Sequence, residues 1–393
     1  MEEWKEYKLG DILSVKYGKD HKKIADGSIP IYGSGGIMRF GDRYIFEGPS
    51  ILIPRKGSLN NIIFADKPFW TVDTMFWTII NQNIANPLFV YYSICKKNFA
   101  SLNVGSAVPS MTVPVIEDVN IILPPKIIQD KIVSILKSLD DKIECNQRIN
   151  DNLEQQAQAL FKSWFVDFEP FKDGEFVESE MGMIPKNLIV KRVSEIPHTI
   201  ETGRRPKGGV GEITSGVPSV GAEHVKGLGN YDYSKTKYIT EGYAASLKTG
   251  KVNGYELLIY KDGGKPGYFI PNYSIFGEGY PFEECFLNEH VFKLDFGDKG
   301  YNAFCYFYFW TDYVMNYLNA QGGKAAIPGI NRQDIEDILI YSPENEIVKQ
   351  YGDFVLPLIR QILFNCKESR RLAQLRDTLL PRLMSGELKV NEI

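Results

Sequence analysis

The sequence predicts an α+β protein with a pseudo-two-fold internal repeat, in which two mixed α/β domains are separated by two long antiparallel, coiled-coil-like helices. Three observations lead to this fold class. A stretch from about Ala107 to Trp164 recurs without a gap 219 positions later in the chain of 393 residues. Each copy ends in a helical pattern of about forty residues. Each copy also follows a longer region in which short apolar runs alternate with glycine-rich turns.

Identical residues at one constant offset define the repeat. They include Ala107 with Ala326, Pro109 with Pro328, Ile116-Glu117-Asp118 with Ile335-Glu336-Asp337, Ile121 with Ile340, Pro124 with Pro343, Ile143 with Ile362, Asn146 with Asn365, Leu153 with Leu372, and Leu160 with Leu379. A gapless register of this length indicates an internal duplication, which has to be recognised before any fold is assigned.

The regions ahead of the repeat are predicted to be rich in strands. Strands are expected at 50–53, 62–64, 76–80 and 119–123 in the first half, and at 256–260, 268–270, 290–294 and 338–341 in the second. A short helix is expected from Pro87 to about Asn98 and another from Ala303 to about Leu318. Apart from residues 52–57, which resemble 258–263, the two regions share little sequence. The sequence therefore predicts that only the scaffold is duplicated.

Each copy continues into a long amphipathic helix. The first is expected to follow Pro124-Pro125 and to run to about Phe165, and the second to follow Pro343 and end near Met384. Apolar stripes of this length require another long helix, and the other copy is the obvious partner. Asn146 and Asn365 either lie in the seam, where a polar residue fixes register, or face the solvent. Pro357 is expected to kink or interrupt the second helix.

Composition limits the classes of function. The formal net charge of −4 is not typical of a protein that holds nucleic acid by bulk electrostatics, so a DNA-binding role predicts partners that supply part of the phosphate attraction. Five scattered cysteines and four scattered histidines form no disulfide framework and no metal-ligand spacing. No apolar run reaches the ~18–20 residues of a membrane helix, and the acidic N-terminus is unlike a secretory signal. We therefore expect a cytoplasmic protein that contacts no membrane.

Catalytic motifs are absent from the sequence. The one Pro-Pro pair, Pro124-Pro125, lacks the flanking residues of an adenine methyltransferase loop, and Gly322-Gly323-Lys324 lacks the spacing of a phosphate-binding loop. We find no nucleophile elbow and no Ser/His or Cys/His signature. These observations favour a non-catalytic protein. A divergent DNA-modifying enzyme and a multidomain protein-binding adaptor stay open as alternatives.

Four motifs resemble conserved segments of the specificity subunits of Type I restriction–modification enzymes (the HsdS family). They are Gly105-Ser-Ala-Val-Pro109 followed by Ile121-Ile-Leu-Pro-Pro125, the run Ala159-Leu-Phe-Lys-Ser-Trp-Phe-Val-Asp-Phe168, the segment Lys324-Ala-Ala-Ile-Pro328, and Arg376-Asp-Thr-Leu-Leu-Pro-Arg-Leu-Met-Ser-Gly-Glu-Leu388. The resemblance extends over essentially the whole chain. It implies two target recognition domains, at 1–124 and 169–343, the latter beginning with a linker at 169–188. It also implies a central conserved helical region at 125–168 and a distal one at 344–393.

The resemblance further implies a function and a set of partners. Each recognition domain is expected to read one half of a bipartite, asymmetric site in double-stranded DNA. Two modification subunits are expected to dock on the conserved helices and to methylate adenine, and restriction subunits to add translocation and cleavage. S-adenosylmethionine, ATP and Mg²⁺ are then needed by those partners, and no cofactor is expected in this chain.

The chemistry of side chains and their positions in the sequence indicate candidate DNA-contacting residues. Base edges and phosphates are contacted mainly by Arg, Lys, Asn, Gln and Ser, and we favour such residues where they lie at strand ends or glycine turns. The candidates in the first domain are Lys16, Lys19, Arg39, Arg43, Arg55, Lys56 and Asn60. Those in the second domain are Arg204, Arg205, Lys207, Lys248, Lys251, Lys261, Lys265 and Lys324.

Overall fold

The chain divides into two compact units in a computed structural model that describes residues 4–263, 267–324 and 328–390. Unit 1 comprises Met1–Asp141 together with Leu372–Ile393, and unit 2 comprises Lys142–Arg371. This division follows packing and cuts both long helices, whereas the segments expected from the sequence (1–124, 125–168, 169–343 and 344–393) are functional ones and stay predictions.

The first half of the chain forms strands, three short helices and one long helix. In order they are β1 Lys5–Lys8, α1 Leu9–Ile12, β2 Leu13–Tyr17, β3 Ile29–Gly33, β4 Gly36–Gly41, β5 Ser50–Pro54, β6 Ile63–Ala65, β7 Trp70–Thr71, β8 Met75–Ile80, α2 Pro87–Ile94, α3 Val113–Glu117, β9 Asn120–Leu123 and α4 Lys126–Phe165. The helix α4 has 40 residues and ends where the sequence predicts.

The second half begins with a hairpin and ends with a second long helix. Its elements are β10 Phe176–Ser179, β11 Gly182–Pro185, β12 Val190–Arg192, β13 Thr199–Thr202, β14 Val217–Val220, β15 Lys237–Ile239, α5 Glu241–Ser246, β16 Leu257–Tyr260, β17 Tyr273–Ile275, β18 Phe286–Leu287, β19 Val291–Asp295, α6 Lys299–Phe309, α7 Asp312–Gly322, α8 Arg332–Glu336, β20 Leu339–Tyr341 and α9 Glu346–Met384. The helix α9 has 39 residues.

Three sheets of unit 1 recur in unit 2 with the same strand order, and unit 2 adds the hairpin β10-β11. Unit 1 has an antiparallel sheet β2-β8-β5-β6, and unit 2 has the equivalent sheet β13-β19-β16-β17. The three-stranded sheets β4-β3-β7 and β15-β14-β18 each combine one antiparallel and one parallel pairing. The antiparallel pair β1-β9 corresponds to β12-β20. The fold of the domains is thus duplicated together with the scaffold, and the prediction that only the scaffold repeats was wrong.

Loop lengths explain why the sequence hides this duplication. In unit 1 only residues 34–35 connect β3 to β4, whereas residues 221–236 connect the equivalent strands β14 and β15. An insertion of this size destroys any gapless alignment. The buried faces of strands also accept many apolar residues, because burial and alternation decide strand formation more than identity does.

Each unit has its own hydrophobic core, to which both long helices contribute. In unit 1, Ile132 and Leu136 of α4 are buried together with Leu380 and Leu383 of α9 and with the inner faces of the sheets. In unit 2, Phe161 and Phe165 of α4 pack against Tyr351 of α9, with ring centroids 5.5 Å apart in each pair. Helix stability here comes from burying an amphipathic face.

The two long helices are antiparallel, as the sequence predicts. Within unit 2, Asn146 Nδ2 donates to Glu368 Oε2 at 2.7 Å, whereas Tyr351 OH, nearer the start of α9, donates to the carbonyl oxygen of Ala157, further along α4, at 2.9 Å. Asn146 and Asn365 are 0% and 4% exposed, so the structure selects the seam position that the sequence left open. The apolar spacing along α4 predicts that Ile149 also lies in the seam, but this side chain is 40% exposed.

Three local expectations were wrong. The segment 268–270 forms no strand although its exposure alternates as in one, with Phe269 buried between the exposed Tyr268 and Ile270; the strand is β17 instead. The predicted helix 87–98 ends at Ile94. The predicted helix 303–318 is two helices, because Thr311, between α6 and α7, has extended backbone angles.

The helix α9 continues through Pro357, so this proline does not interrupt it, and the expected kink stays a prediction. Proline removes the amide that would bond to the carbonyl of Asp353, four residues earlier. Both residues are exposed, so water can satisfy that carbonyl.

Candidate nucleic-acid interface

Polar residues meet at one end of the four-stranded sheet in unit 1. Tyr17 of β2 and Ile53 of β5 both pair with Phe76 of β8, so the ends of β2 and β5 lie beside the start of β8. We call the resulting set, residues 18–20, 55–57 and 73–74, the unit 1 rim. The amide of Arg55 donates to the carbonyl oxygen of Thr74 at 2.8 Å, which fixes the loop after β5 against the loop before β8.

Unit 2 has the same arrangement at the corresponding place. Thr202 of β13 and Ile259 of β16 both pair with Phe292 of β19. The unit 2 rim therefore consists of residues 203–205, 261–263 and 289–290. The amide of Lys261 donates to the carbonyl oxygen of His290 at 3.0 Å, which is the equivalent of the bond between Arg55 and Thr74.

The start of the sequence repeat closes both rims in the same way. Gly57 N donates to Pro109 O at 3.0 Å, and Gly263 N donates to Pro328 O at 2.9 Å. The amide of Met111 bonds to Arg55 in unit 1, as that of Ile330 bonds to Lys261 in unit 2. Pro109 and Pro328 are 219 positions apart, and so are Met111 and Ile330. Equivalent residues of the sequence repeat therefore make hydrogen bonds to equivalent residues of the two rims.

A charged network fills the unit 2 rim. Arg205 Nε donates to Glu289 Oε1 at 2.6 Å, and Arg205 Nη2 donates to His290 Nε2 at 2.7 Å. His290 Nδ1 contacts Asp262 Oδ1, and since Nε2 accepts from Arg205, Nδ1 is the nitrogen that carries the proton. Lys261 Nζ donates to the backbone oxygen of Glu289 at 3.1 Å. The network holds Arg205 and Lys261 in fixed directions.

The ionisation of this network follows from its contacts. The hydrogen bond from Arg205 to Glu289 raises the pKa of the guanidinium above its ordinary value, against the opposing effect of burial. Burial by itself would raise the pKa of Glu289, but the Arg205 bond and nearby positive charge lower it overall. Glu289 Oε2 is buried without a hydrogen-bond partner among the described residues. Both members of the pair are therefore charged at neutral pH.

The unit 1 rim is more open. The guanidinium carbon of Arg55 lies 5.4 Å from the centroid of the Tyr17 ring, and Arg55 Nη1 donates to the backbone oxygen of Asp73 at 3.2 Å. Lys19 and Lys56 are exposed beside it. Backbone amide hydrogen bonds, the strongest from Lys22, lower the pKa of Asp20. This rim thus presents three cations and an exposed carboxylate to the solvent.

Of the seven candidates in the first domain, Lys19, Arg55 and Lys56 meet at the rim. Arg39 lies on β4 in the other sheet, where its Nη2 donates to the backbone oxygens of His21 at 2.7 Å and Ile24 at 2.8 Å. Arg39 therefore holds the 21–24 loop.

The remaining three candidates of this domain are not among the rim residues. Asn60 Oδ1 accepts from the amide of Ala100 at 2.8 Å, so this side chain joins the loop after β5 to the segment that follows α2. Arg43 is exposed with its Nε 3.2 Å from Asp42. Lys16 is exposed on β2.

In the second domain Arg204, Arg205 and Lys261 meet at the rim. The other described candidates are not among the rim residues: Lys207 is exposed in the loop after Arg205, Lys248 is exposed after α5, Lys251 pairs with Glu284 at 2.6 Å, and Lys324 donates to Gln321 at 2.6 Å. Lys265 lies outside the described residues.

Sequence reasoning missed the acidic and imidazole members of the rims. Asp73, Asp262, Glu289 and His290 orient the cations but are not typical DNA-contacting residues, so a search for cations passes over them. A signal was present, since the similarity of 52–57 to 258–263 includes Asp262, and the strand predicted at 290–294 begins at His290. If the two strands are neighbours in one sheet, the loop that contains Asp262 and the residues that precede the strand at 290–294 lie at the same edge of that sheet.

Other classes of site receive no support from the described residues. In the ranges 4–263, 267–324 and 328–390 no three His, Cys, Asp or Glu side chains are grouped so that they could bind a metal ion. Within the same ranges, no helix combines the length and the apolar character needed to cross a membrane.

Comparison with known proteins identifies the relatives of this chain. Residues 1–155 match the family described as the Type I restriction modification DNA specificity domain. The specificity subunit of the Type I restriction enzyme MjaIX from Methanocaldococcus jannaschii is 28% identical over 359 residues, which covers 89% of this chain and 80% of that protein. The specificity subunit of the HindI enzyme from Haemophilus influenzae is 26% identical over 464 residues, covering 99% and 100%.

A solved structure supports the fold. The S subunit of a Type I restriction-modification system from M. genitalium superposes with a TM-score of 0.62 at 15% identity, covering 97% of this chain and 96% of that one. At this identity the likeness concerns the fold, and it extends over both units.

Proposed function

Because this chain belongs to the family of Type I restriction-modification specificity subunits, we propose that it selects the DNA sequence on which partner subunits act and that it catalyses no reaction itself. Each unit reads one half of a bipartite, asymmetric site in double-stranded DNA. The observation that carries this proposal is one fold present twice, with rims of different chemistry: Arg55 and Lys56 in one, the Arg205–His290–Asp262 network in the other.

Unequal rims support unequal half-sites. Sequence readout depends on the hydrogen-bonding groups that reach base edges, so two rims with different side chains recognise different bases. The formal net charge of −4 is consistent with partners that contribute to the grip on phosphate. We propose that these partners are two modification subunits, which bind S-adenosylmethionine, and restriction subunits, which use ATP and Mg²⁺. We propose that the protein and its partners act on double-stranded DNA in the cytoplasm.

Exposed apolar side chains on the long helices support partner docking. Phe354 and Phe364 of α9 are 48% and 61% exposed, and Leu375 is 45% exposed. Aromatic side chains are enriched at protein–protein interfaces relative to the rest of the surface. We therefore place the modification subunits on the helices and the DNA on the rims.

A domain exchange tests the bipartite reading. Residues 1–105 are replaced by the corresponding segment of another family member, and the methylated sequence is determined by methylation-sensitive sequencing of host DNA. We expect one half-site to change and the other to persist, and a matched exchange of residues 185–325 to change the opposite half. Methylation unchanged at both halves contradicts the proposal.

The absence of catalysis is tested with purified chain. The chain alone, with DNA and S-adenosylmethionine, is expected to transfer no methyl group, whereas addition of the modification subunits restores sequence-specific methylation. Methyl transfer or DNA cleavage by the chain alone would favour the divergent-enzyme alternative.

A further inference from the structure

The duplicated fold allows the two rims to be compared position by position. Strand register aligns Phe76 with Phe292, and hence Arg55 with Lys261 and residues 73–74 with 289–290. It also aligns Tyr17 with Thr202, so that the residues following β2 correspond to those following β13. One unit therefore serves as an internal reference for the other.

One rim position carries a cation held in the same way in both units. Arg55 Nη1 donates to the backbone oxygen of Asp73 at 3.2 Å, and Lys261 Nζ donates to the backbone oxygen of the equivalent residue, Glu289, at 3.1 Å. Each cation also lies over an aromatic ring, Arg55 at 5.4 Å from Tyr17 and Lys261 at 5.2 Å from the ring of Phe292. The two rings stand at different positions, since Tyr17 aligns with Thr202 and Phe292 with Phe76, but the backbone hydrogen bond is equivalent, and the same bond made by different cations indicates a shared task.

A second pair of cations follows a glycine that cannot be replaced. A Cβ added to Gly18 would overlap the carbonyl oxygen of Val72, and one added to Gly203 would overlap that of Leu287. The next residues, Lys19 and Arg204, are both exposed cations. The backbone thus sets the position of this pair of cations in both units.

The neighbouring positions differ in charge or chemistry between the units. Asp20 in unit 1 corresponds to Arg205 in unit 2, Lys56 corresponds to Asp262, and Thr74 corresponds to His290. In unit 2 these three residues form the chain Arg205–His290–Asp262. The contacts engage Nε and Nη2 of Arg205, which leaves Nη1 as the nitrogen outside the network among the described residues.

We infer that the recurring cations Arg55/Lys261 and Lys19/Arg204 are phosphate anchors common to both half-sites, and that the differing positions Asp20/Arg205, Lys56/Asp262 and Thr74/His290 choose the bases. Phosphates are the same at every sequence, so their contacts can be identical in the two units. Base edges differ, so the side chains that read them must differ when the half-sites do. This inference rests on the proposed function, since it divides the residues of that DNA-reading surface.

Adjacent residues of one loop give a charge-matched test. Arg55→Gln removes an anchor and Lys56→Gln removes a base-reading residue, and each removes one positive charge from the same loop. Each variant is assembled as full chain with its modification subunits, and binding is measured against a DNA library at several salt concentrations. Lys261→Gln and Asp262→Asn form the second pair, in unit 2.

The two classes of variant should behave differently. Arg55→Gln should weaken binding to all library sequences by a similar factor, lower the salt dependence by about 1 in the log–log slope, and leave the preferred half-site unchanged. Lys56→Gln should alter the preference at one half-site by at least about fivefold at one or more positions. Lys261→Gln should resemble the former, and Asp262→Asn should alter the other half-site.

The outcomes separate this inference from the proposed function. If Arg55→Gln changes the preferred bases, or if Lys56→Gln weakens all sequences alike, the division into anchors and readers is overturned while the wild-type complex still reads its site. If the wild-type complex shows no sequence preference, the proposed function fails and the inference with it. Thermal melting of each variant, expected to match wild type for Lys56→Gln because Lys56 is exposed, excludes a folding defect.

Discussion

Gly203 lies against the backbone of a neighbouring strand, in a position with no room for a side chain. Its backbone angles are accessible to any residue, but a Cβ would overlap the carbonyl oxygen of Leu287, and backbone atoms of a sheet cannot move aside cheaply. Gly18 occupies the corresponding position in unit 1. At both rims, therefore, the backbone at this glycine packs directly against a neighbouring backbone segment, and this contact fixes the position of the residues that follow.

Gly203→Ala should destabilise unit 2 by at least about 1–3 kcal/mol, the usual cost of forcing extra volume into a packed site. Gly242→Ala is the matched control, because Gly242 lies in α5 with open space around its Cα, and alanine there should stabilise by up to about 1 kcal/mol. Urea unfolding followed by circular dichroism measures both. If Gly203→Ala is as stable as wild type, β18 can shift far enough to make room for the added methyl group.

The sequence predicts which cations lie at the unit 2 rim better than it predicts their contacts within the protein. Arg204, Arg205 and Lys261 were identified because cations at strand ends suit DNA contact, and the structure brings all three to one rim. Glu289 and His290 were missed because they are 84 and 85 positions from Arg205, and such separations leave no local pattern. Arg39, equally plausible by chemistry, is held by the backbone oxygens of His21 and Ile24 in the 21–24 loop.

At the element scale, a polar step interrupts the apolar seam between the long helices in unit 2. Asn365 Nδ2 donates to Asn150 Oδ1 at 2.8 Å, and Gln361 Nε2 donates to Asn365 Oδ1 at 2.7 Å. Asn146 donates to Glu368 across the same seam, while its own Oδ1 is buried without a partner among the described residues. Such a step favours one helix register at some cost in stability.

Asn365→Ala should destabilise the chain by about 1–3 kcal/mol, because Asn150 and Gln361 lose partners in a half-buried environment. Gln147→Ala, at an exposed position of α4, is the control and should change stability by less than about 0.5 kcal/mol. Denaturant midpoints of the two variants provide the measurement. If both variants match wild type, the seam asparagines contribute no net stability.

The exposed face of α9 carries a separate prediction. Phe364→Ala removes an apolar side chain that is 61% exposed, so the free energy of unfolding should stay within about 0.5 kcal/mol of wild type. Binding to the modification subunit, measured by titration calorimetry, should weaken about tenfold if Phe364 is a central contact of the interface, because truncation of such a residue costs more than about 1 kcal/mol. Lys349→Ala, exposed on the same helix, is the control, and equal affinities would place the docking surface elsewhere.

At the scale of the whole molecule, the sequence predicts the repeated helices but not the repeated domains. The helical halves align without gaps because α4 and α9 must keep apolar residues in phase along their length. The sheets of the two units share strand order and register, as in β2-β8-β5-β6 and β13-β19-β16-β17. Their loops differ in length, and different apolar residues fill some of the equivalent buried positions. Strand pairing is a long-range property, so it leaves little periodic signal in the sequence.

Acidification should destabilise the folded chain through carboxylates that the fold keeps ionised. Hydrogen bonds, the strongest from Ser234, lower the pKa of Asp232 to about 2, and the bond from Lys191 lowers the pKa of Glu344. A carboxylate with a lowered pKa contributes stability that is complete above the unfolded value of about 4 and is lost as pH falls through the folded value. The melting midpoint should therefore fall steadily between about pH 4 and pH 2, as measured by circular dichroism.

Glu154 should show the opposite dependence and so provides the internal contrast. Burial raises its pKa in the folded state, only partly offset by the hydrogen bond from Tyr306. The charged form is then disfavoured by folding, so this residue costs stability once pH rises above its unfolded value of about 4.3. Glu154→Gln should melt higher than wild type at pH 7, and the difference should vanish near pH 3, whereas Glu144→Gln, exposed on the same helix, should not show this pattern. A Glu154→Gln variant that melts below wild type at pH 7 would show that the carboxylate is stabilised by its surroundings.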